Sequence, residues 1–251
     1  MGLDGNGRIR YRAIIEYDGT AYVGFQRQRQ PNSVQELLEQ AITAVSQQPA
    51  TVIGSGRTDS GVHATGQVIS FDLDWSHGTA ALQRALNVNL PPDISVRTLE
   101  EVDSSFHPRF DARCRVYEYH IYNSPVRSPI QRHYRWHVAK PLSLVRMNEA
   151  AALLIGAHDF ATFGRPPQGK NTIRHVFVAE WRQEDARLIF TIAANAFLYR
   201  MVRTIVGCLK NVGEGSWDVA QFRTAFDAAD RRQAAAVAPA HGLYLVSVLY
   251  E

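Results

Sequence analysis

The chain has 251 residues, 45% of them hydrophobic, and a formal net charge of +3 at pH 7. A chain of this length buries roughly 70–75% of its unfolded surface, so its fold does not depend on disulfides, and Cys114 and Cys208 show no zinc-site spacing. No apolar run approaches the roughly 20 residues of a membrane span and residues 1–7 lack an apolar secretory core, so we expect a cytoplasmic protein.

The basic residues are almost all arginines, because lysine occurs only at Lys140, Lys170 and Lys210. The planar guanidinium of arginine suits bidentate phosphate contacts and stacking on bases. Codon usage in a GC-rich genome explains the same bias equally well. With so small a net charge, composition gives only weak support for a polyanionic partner.

The first half predicts the order strand, helix, strand, strand, helix, strand. Alternating apolar residues over 10–18 predict a strand that ends at Asp18-Gly19, and Ser33 with Glu36 predicts a capping box ahead of a helix. The further elements are strands at 51–53, 67–73 and 94–98 and a helix at 79–87. This order is that of a ferredoxin-like, split βαβ arrangement.

The second half allows the same interpretation, which makes an internal duplication plausible. The predicted elements are strands at 115–123, 173–181, 188–194 and 243–249 and helices at 144–154 and from about Phe197 and Asp218. The polar, proline-interrupted segment 104–111 places a boundary between halves 1–104 and 105–251. We expect an α+β fold with two ferredoxin-like halves, antiparallel sheets side by side, helices on one face and an active-site cleft between the halves.

Residues 54–63 form a glycine-punctuated loop that displays Asp59 close to Arg57. A loop carboxylate beside an arginine is ionised at neutral pH and can act as a nucleophile or base. The alternative for such an aspartate is an Asx turn or a helix cap. The loop has neither the lysine of a Walker A motif nor the glycine spacing of a dinucleotide-binding loop.

Two later segments carry further candidate residues. Tyr117 and Tyr119 share one face of a predicted strand, where a tyrosine is either a core aromatic or a platform for an extruded base. Arg200 and Arg203 lie three apart in an otherwise apolar helix, where an arginine is costly unless a partner meets it. Asp59 is the natural partner, and the alternative is that both arginines cover the helix surface.

These segments resemble the TruA family of tRNA pseudouridine synthases. Residues 56–63 match its Gly-Arg-Thr-Asp-x-Gly-Val-His signature, residues 115–119 its Arg-x-Tyr-x-Tyr element and residues 197–203 its Phe-Leu-x-x-Met-Val-Arg pattern. The resemblance extends over segments 17–20, 106–110 and 242–246, and Ser60 departs from the alanine that is usual in the family. It implies isomerisation of uridine to pseudouridine at positions 38, 39 and 40 of the tRNA anticodon stem-loop by a homodimer, without a metal or organic cofactor.

The resemblance also implies roles for individual residues. Asp59 is the catalytic carboxylate, Arg203 its ion-pair partner, Tyr117 the substrate-contacting tyrosine, and Arg57 contacts RNA phosphate or helps to extrude the base. The roles of His63 and Arg200 stay open, and Asp59 could attack C1′, attack C6 or abstract a sugar proton. Other arginines are either phosphate contacts or ordinary solvated charges: Arg27, Arg29, Arg109, Arg113 and Arg165. The rival functions are a tRNA-binding factor indifferent to Asp59 and a phosphate-transfer enzyme that uses the glycine loop.

Overall fold

A computed structural model of the chain describes residues 7–167 and 169–251. Within them the protein is a mixed α/β fold with ten β-strands and five α-helices. No helix in this part of the chain is both long enough and apolar enough to cross a membrane. The chain divides into two compact units: the first runs up to Arg113 and includes Leu245–Glu251, and the second is Cys114–Tyr244. The closing segment thus falls with the first unit, whereas the sequence had placed it in the half 105–251.

The first unit is built around β1, which pairs antiparallel with a strand on each side. β1 pairs with β3 on one side and with β4 on the other, β2 pairs with β3, and β10 follows β3 in the sheet. The elements of this unit are β1 (Ile9–Tyr17), α1 (Val34–Ser46), β2 (Ile53–Gly54), β3 (His63–Leu73), α2 (Thr79–Asn89), β4 (Ile94–Val102) and β10 (Leu243–Leu249) from Leu245 onwards.

Alternation along β1 supplies much of the core of this unit. Tyr11, Ile15 and Tyr17 point into it, and the Tyr11 ring stacks on Phe71 of β3 with the centroids 5.5 Å apart. Leu82 of α2 is fully buried as well, and α2 packs on β4. A period-two pattern on the strands and a helical pattern on α2 therefore bury one common apolar layer.

The predicted capping box at the start of α1 is only half formed. Ser33 Oγ accepts a hydrogen bond from Glu36 N at 3.3 Å, as the sequence predicts. The Glu36 carboxylate reaches one residue further back and accepts from Asn32 N at 3.1 Å. Both bonds still give the chain entering the helix a fixed direction.

The strands of the second unit have helices packed against them. Its described strands follow the order β5-β9-β8-β7, antiparallel throughout, and β6 pairs in parallel with β5. The elements are β5 (Cys114–Asn123), β6 (Trp136–Val138), α3 (Leu144–Ala152), β7 (Gly156–Asp159), β8 (Ile173–Glu184), β9 (Arg187–Ala194), α4 (Met201–Gly213) and α5 (Val219–Asp227).

Aromatic side chains fill the interior of the second unit. Phe160, Phe163, Phe222 and Phe226 form a cluster in which neighbouring ring centroids lie between 5.2 and 6.2 Å apart. Such offset and tilted pairs contribute about 0.5–1.5 kcal/mol each beyond the area they bury. The cluster joins α5 to the segment that follows β7.

Three local features differ from the sequence-based prediction. The helix expected from about Phe197 begins at Met201, because Arg200 has a left-handed backbone (φ 61°) that cannot continue a helix. The short strands β6 and β7 were not predicted. β8 continues to Glu184 and leaves a two-residue hairpin turn in which Asp185 has a positive φ of 56°.

The start of α5 provides a test of the fold. Asp218 Oδ1 accepts from Gln221 N at 2.7 Å, and Gln221 Oε1 accepts from Asp218 N at 2.8 Å, which completes a reciprocal capping box. Asp218→Ala should lower the free energy of unfolding by about 1 kcal/mol in denaturant titrations. Asp218→Asn is the matched control and should stay close to wild type, so equal losses from both variants would contradict a capping role.

Candidate active site

The loop that carries Asp59 is fixed through its backbone to segment 22–25. Phe25 N donates to Thr58 O at 3.2 Å, and Gly61 N donates to Tyr22 O at 3.4 Å, so both sides of Asp59 are attached to one neighbouring segment. Within the loop, Val62 N donates to Asp59 O at 3.1 Å. These bonds fix the position of the Asp59 backbone.

The close approach of segment 22–25 depends on a glycine. Gly24 forms an isolated bridge with Asp59 and has a φ of +114°, a conformation that side chains rarely adopt. A Cβ at this position would lie 2.7 Å from Thr58 O. A substitution at Gly24 would therefore push this segment away from the loop and from Asp59.

A buried hydrogen bond beneath the loop joins it to β1. Tyr17 Oη and Thr58 Oγ1 are 2.8 Å apart, and the two residues are only 3% and 7% exposed. An unmade hydrogen bond at a buried hydroxyl costs about 1–3 kcal/mol, so this pair strongly favours a single loop position. Thr58 directly precedes Asp59, so the constraint extends to the Asp59 backbone.

A second buried pair holds the start of the loop. Ser55 Oγ donates to Gln67 Oε1 at 2.7 Å, and Gln67 Nε2 donates to Gly56 O at 2.9 Å. Ser55 and Gln67 are both buried. Because Gln67 belongs to β3, the loop is attached to two adjacent strands of the same sheet.

His63 at the end of the loop is a buried connector. Its Nδ1 lies 3.0 Å from Gly19 N and 3.1 Å from Asp18 Oδ1. Without a hydrogen, Nδ1 accepts from the Gly19 amide; with one, in the neutral Nδ1–H tautomer or in the imidazolium, it donates to the Asp18 carboxylate. In either state, His63 attaches the loop to the turn that follows β1.

The side chains of the loop differ in exposure. Asp59 is half-buried, while Arg57 and Ser60 are exposed. Ser60, the departure from the family pattern, donates through Oγ to Tyr22 O at 3.1 Å. The extra hydroxyl therefore adds one more contact to the segment that already holds the Asp59 backbone.

Tyr117 lies on β5 in the second unit. It is 8% exposed, and its ring packs edge-on against Phe197 with the centroids 4.9 Å apart and an interplanar angle of 79°. Tyr119 and Ile121 share its buried face of the strand, as the alternation predicts. Core packing thus explains the neighbours of Tyr117, and its predicted contact with substrate stays a prediction.

Arg203 lies in the first turn of α4 and is held by the segment before β10. Its Nε donates to Ala238 O at 2.8 Å, and its carbonyl accepts from Ala238 N at 3.0 Å. Burial raises the pKa of nearby Tyr119, with the positive charge of Arg203 acting in the opposite direction. The Nε bond fixes the guanidinium plane, whose terminal nitrogens carry the donors for a bidentate carboxylate.

Arg200 does not share the environment of Arg203. It is exposed, lies outside α4 as its N-cap residue, and places its guanidinium carbon 4.9 Å from the centroid of the Tyr199 ring. Such a cation–π contact at an exposed site is worth about 0.5–1 kcal/mol. The surface interpretation of Arg200 fits this placement.

The predicted site residues are thus distributed over both units. Asp59 and Arg57 belong to the first unit, and Tyr117 and Arg203 belong to the second. The ion pair of Asp59 with Arg203 stays a prediction. Sequence reasoning missed the support from Tyr17 and Gln67, whose only signal was their place on strands that flank the loop. In the described parts of the chain, no group of three or more His, Cys, Asp or Glu side chains could hold a metal ion.

A protein-family model matches most of the chain. Residues 13–111 and 150–251 match a family model described as tRNA pseudouridine synthase. The two matched stretches include the Asp59 loop and Arg203, while Tyr117 lies in the gap between them.

Curated relatives are similar over nearly their full length. "tRNA pseudouridine synthase A" of Pseudothermotoga lettingae is 41% identical over 95% of this chain and 98% of its own. The proteins of that name from Shewanella baltica and Klebsiella pneumoniae are each 44% identical, over 96% and 94% of this chain and 93% and 88% of their own lengths.

The Tyr17–Thr58 bond can be tested by a double-mutant cycle. Tyr17→Phe and Thr58→Val should each lower the free energy of unfolding by about 1–3 kcal/mol, because each leaves a buried hydroxyl without this partner. The double variant should lose clearly less than the sum of the single losses, since it removes both hydroxyls. Additive losses in denaturant titrations would mean that the bond does not couple β1 to the loop.

Proposed function

The chain belongs to the tRNA pseudouridine synthase family, and on that basis we propose that it isomerises uridine to pseudouridine at positions 38, 39 and 40 of the tRNA anticodon stem-loop. Asp59 is the proposed nucleophile. The observation that carries the assignment is how the half-buried Asp59 is held. The loop backbone on both sides of Asp59 is hydrogen-bonded to segment 22–25, and the side chain of its neighbour Thr58 is hydrogen-bonded to Tyr17. A catalytic group gains most when its position is set before the substrate arrives.

The reaction needs no net oxidation or reduction. The bond between uracil N1 and ribose C1′ breaks, a bond between C5 and C1′ forms, the hydrogen on C5 leaves as a proton and N1 gains a proton. In this proposal the protein takes the base out of the stack, supplies a carboxylate that attacks, and retains the detached uracil while it turns. Asp59 fills the second role in this proposal.

The other site residues have complementary roles in the proposal. Arg203 pairs with the Asp59 carboxylate and keeps it ionised, which its fixed guanidinium plane supports. Tyr117 contacts the target base, and the exposed Arg57 contacts RNA phosphate or helps to extrude the base. Binding, attack and release thus use residues of this chain and require neither a metal nor an organic cofactor.

The finer architecture is also a proposal. Two ferredoxin-like halves are supported in the first unit by the sheet order β4-β1-β3 and the pairing of β2 with β3. From the family resemblance we further propose a homodimer in the cytoplasm. Light scattering at micromolar concentration should give twice the mass of the 28.1 kDa chain, and a single-chain mass would contradict the dimer.

The central test compares Asp59→Ala with the adjacent substitution Ser60→Ala. Asp59→Ala should reduce pseudouridine formation at positions 38–40 by more than about 1,000-fold, because no other group replaces the nucleophile. Ser60→Ala removes only the hydrogen bond to Tyr22 O and should remain close to wild type. Pseudouridine is mapped by sequencing tRNA incubated with each purified protein, with tRNA binding measured in parallel.

The outcomes of this test separate the rival functions. Equal product from Asp59→Ala and wild type would mean that Asp59 is not the nucleophile. A wild-type protein that binds tRNA but forms no pseudouridine would support the binding-factor function. Pseudouridine at other tRNA positions would support the proposed reaction but contradict the proposed target positions.

Arg203→Lys tests the proposed ion pair while keeping the charge. Lysine offers neither the Nε donor to Ala238 O nor a bidentate fork, so kcat should fall by about 10- to 100-fold. Arg200→Lys is the matched control at an exposed position of the same segment and should stay near wild type. Equal effects from both substitutions would contradict a special role for Arg203.

A further inference from the structure

Phe110 is a large apolar side chain that the fold displays to solvent. It is 76% exposed and lies in the short segment 106–111 between β4 and β5. An isolated exposed apolar residue is common and needs no explanation. The way in which this one is held is unusual, because hydrogen bonds within the segment and to neighbouring strands restrict its freedom.

His107 organises the segment from within. Its Nδ1 accepts from Arg109 N at 3.1 Å and from Phe110 N at 3.2 Å, and its own backbone N donates to Asp111 Oδ2 at 2.8 Å. Asp111 N closes the turn by donating to His107 O at 3.1 Å. Four hydrogen bonds within six residues therefore fix the backbone that carries Phe110.

The segment is also anchored to the sheet of the first unit. Tyr250 Oη donates to Pro108 O at 2.9 Å, and Arg10 Nη1 donates to Phe106 O at 3.1 Å. The Phe106 ring packs on the Tyr250 ring with the centroids 5.2 Å apart. The turn is thus attached to β1 and to the closing residues of the chain.

The Phe110 ring packs against another ring of the same segment. It lies against the His107 imidazole with the centroids 4.2 Å apart and an interplanar angle of 32°. The Arg109 guanidinium carbon lies 5.9 Å from the ring centroid, and Arg113 is an exposed cation a few residues further on. An aromatic ring mounted on a second ring, with arginines beside it, has the composition of a base-stacking platform for RNA.

We propose that Phe110, mounted on His107, is a stacking platform for an unpaired nucleobase of the tRNA substrate. The proposal rests on the proposed function, because it takes tRNA as the substrate. The two cations near the ring, Arg109 and Arg113, favour a polyanion over an apolar protein surface. A ring that packs on His107 and is carried by a hydrogen-bonded turn has less conformational entropy to lose when a base stacks on it.

The experiment measures tRNA affinity for a series of variants at position 110. Phe110→Ala should raise the dissociation constant by about 5- to 100-fold, and Phe110→Leu should show most of that loss because leucine has no π-face. Phe110→Trp should bind as wild type. Val88→Ala is the matched control, a truncation at an 83% exposed apolar residue of the same unit, and should leave affinity unchanged.

Salt dependence distinguishes stacking from a charge effect. The slope of log affinity against log salt should be the same for wild type and Phe110→Ala, because a stacked base releases no counterion. Unchanged affinity in Phe110→Ala would overturn the platform, as would wild-type affinity in Phe110→Leu. A different oligomeric mass in solution for Phe110→Ala than for wild type would also overturn the proposal, and it would assign Phe110 to a contact between protein chains.

The same experiment keeps the proposed function separate. All affinities are measured a second time in the Asp59→Ala background, where binding does not depend on turnover. If wild type forms no pseudouridine at positions 38–40 while Phe110→Ala still weakens tRNA binding, the proposed function fails and the platform stands. If wild type forms pseudouridine and the position-110 series binds equally well, the platform fails and the function stands.

Discussion

The hydrogen bond between Tyr17 and Thr58 is the constraint on which the candidate site depends. It joins the end of β1 to the residue before Asp59 in a setting that excludes water, where leaving either hydroxyl unmatched is costly. The Gly24 bridge acts in the same direction from the other side of the loop. Together they fix the backbone of the glycine-containing loop on both sides of the half-buried Asp59.

Strand alternation is what makes this constraint possible. The pattern that buries Tyr11 and Ile15 in the core also directs Tyr17 inwards, at the point where β1 ends and the loop passes over it. Gln67 holds Ser55 and Gly56 from β3 in the same way. The first unit therefore uses ordinary core geometry to hold polar groups, and the same two strands form the core and support the loop of the candidate site.

The regular elements were largely predictable from the sequence, because β1, α1 and β5 are decided by local periodicity. The start of α4 was not, since the left-handed Arg200 follows Tyr199, whose N–H donates to Arg165 O far away in the sequence. β6 is a three-residue strand that exists only through its pairing with β5. Asp59, Arg57, Tyr117 and Arg203 came from motif resemblance, whereas the supports at Tyr17 and Gln67 depend on contacts that no local pattern contains.

The claim that the rigid setting of the loop positions Asp59 for catalysis is tested most directly by the single-turnover rate of Tyr17→Phe. At saturating tRNA, the rate of pseudouridine formation should fall by at least about 10-fold, because a small misplacement of a reacting group is costly. The tRNA concentration for half-maximal rate should stay unchanged, since Tyr17 is buried. A wild-type rate in a folded Tyr17→Phe protein would contradict the account and place the control of Asp59 elsewhere.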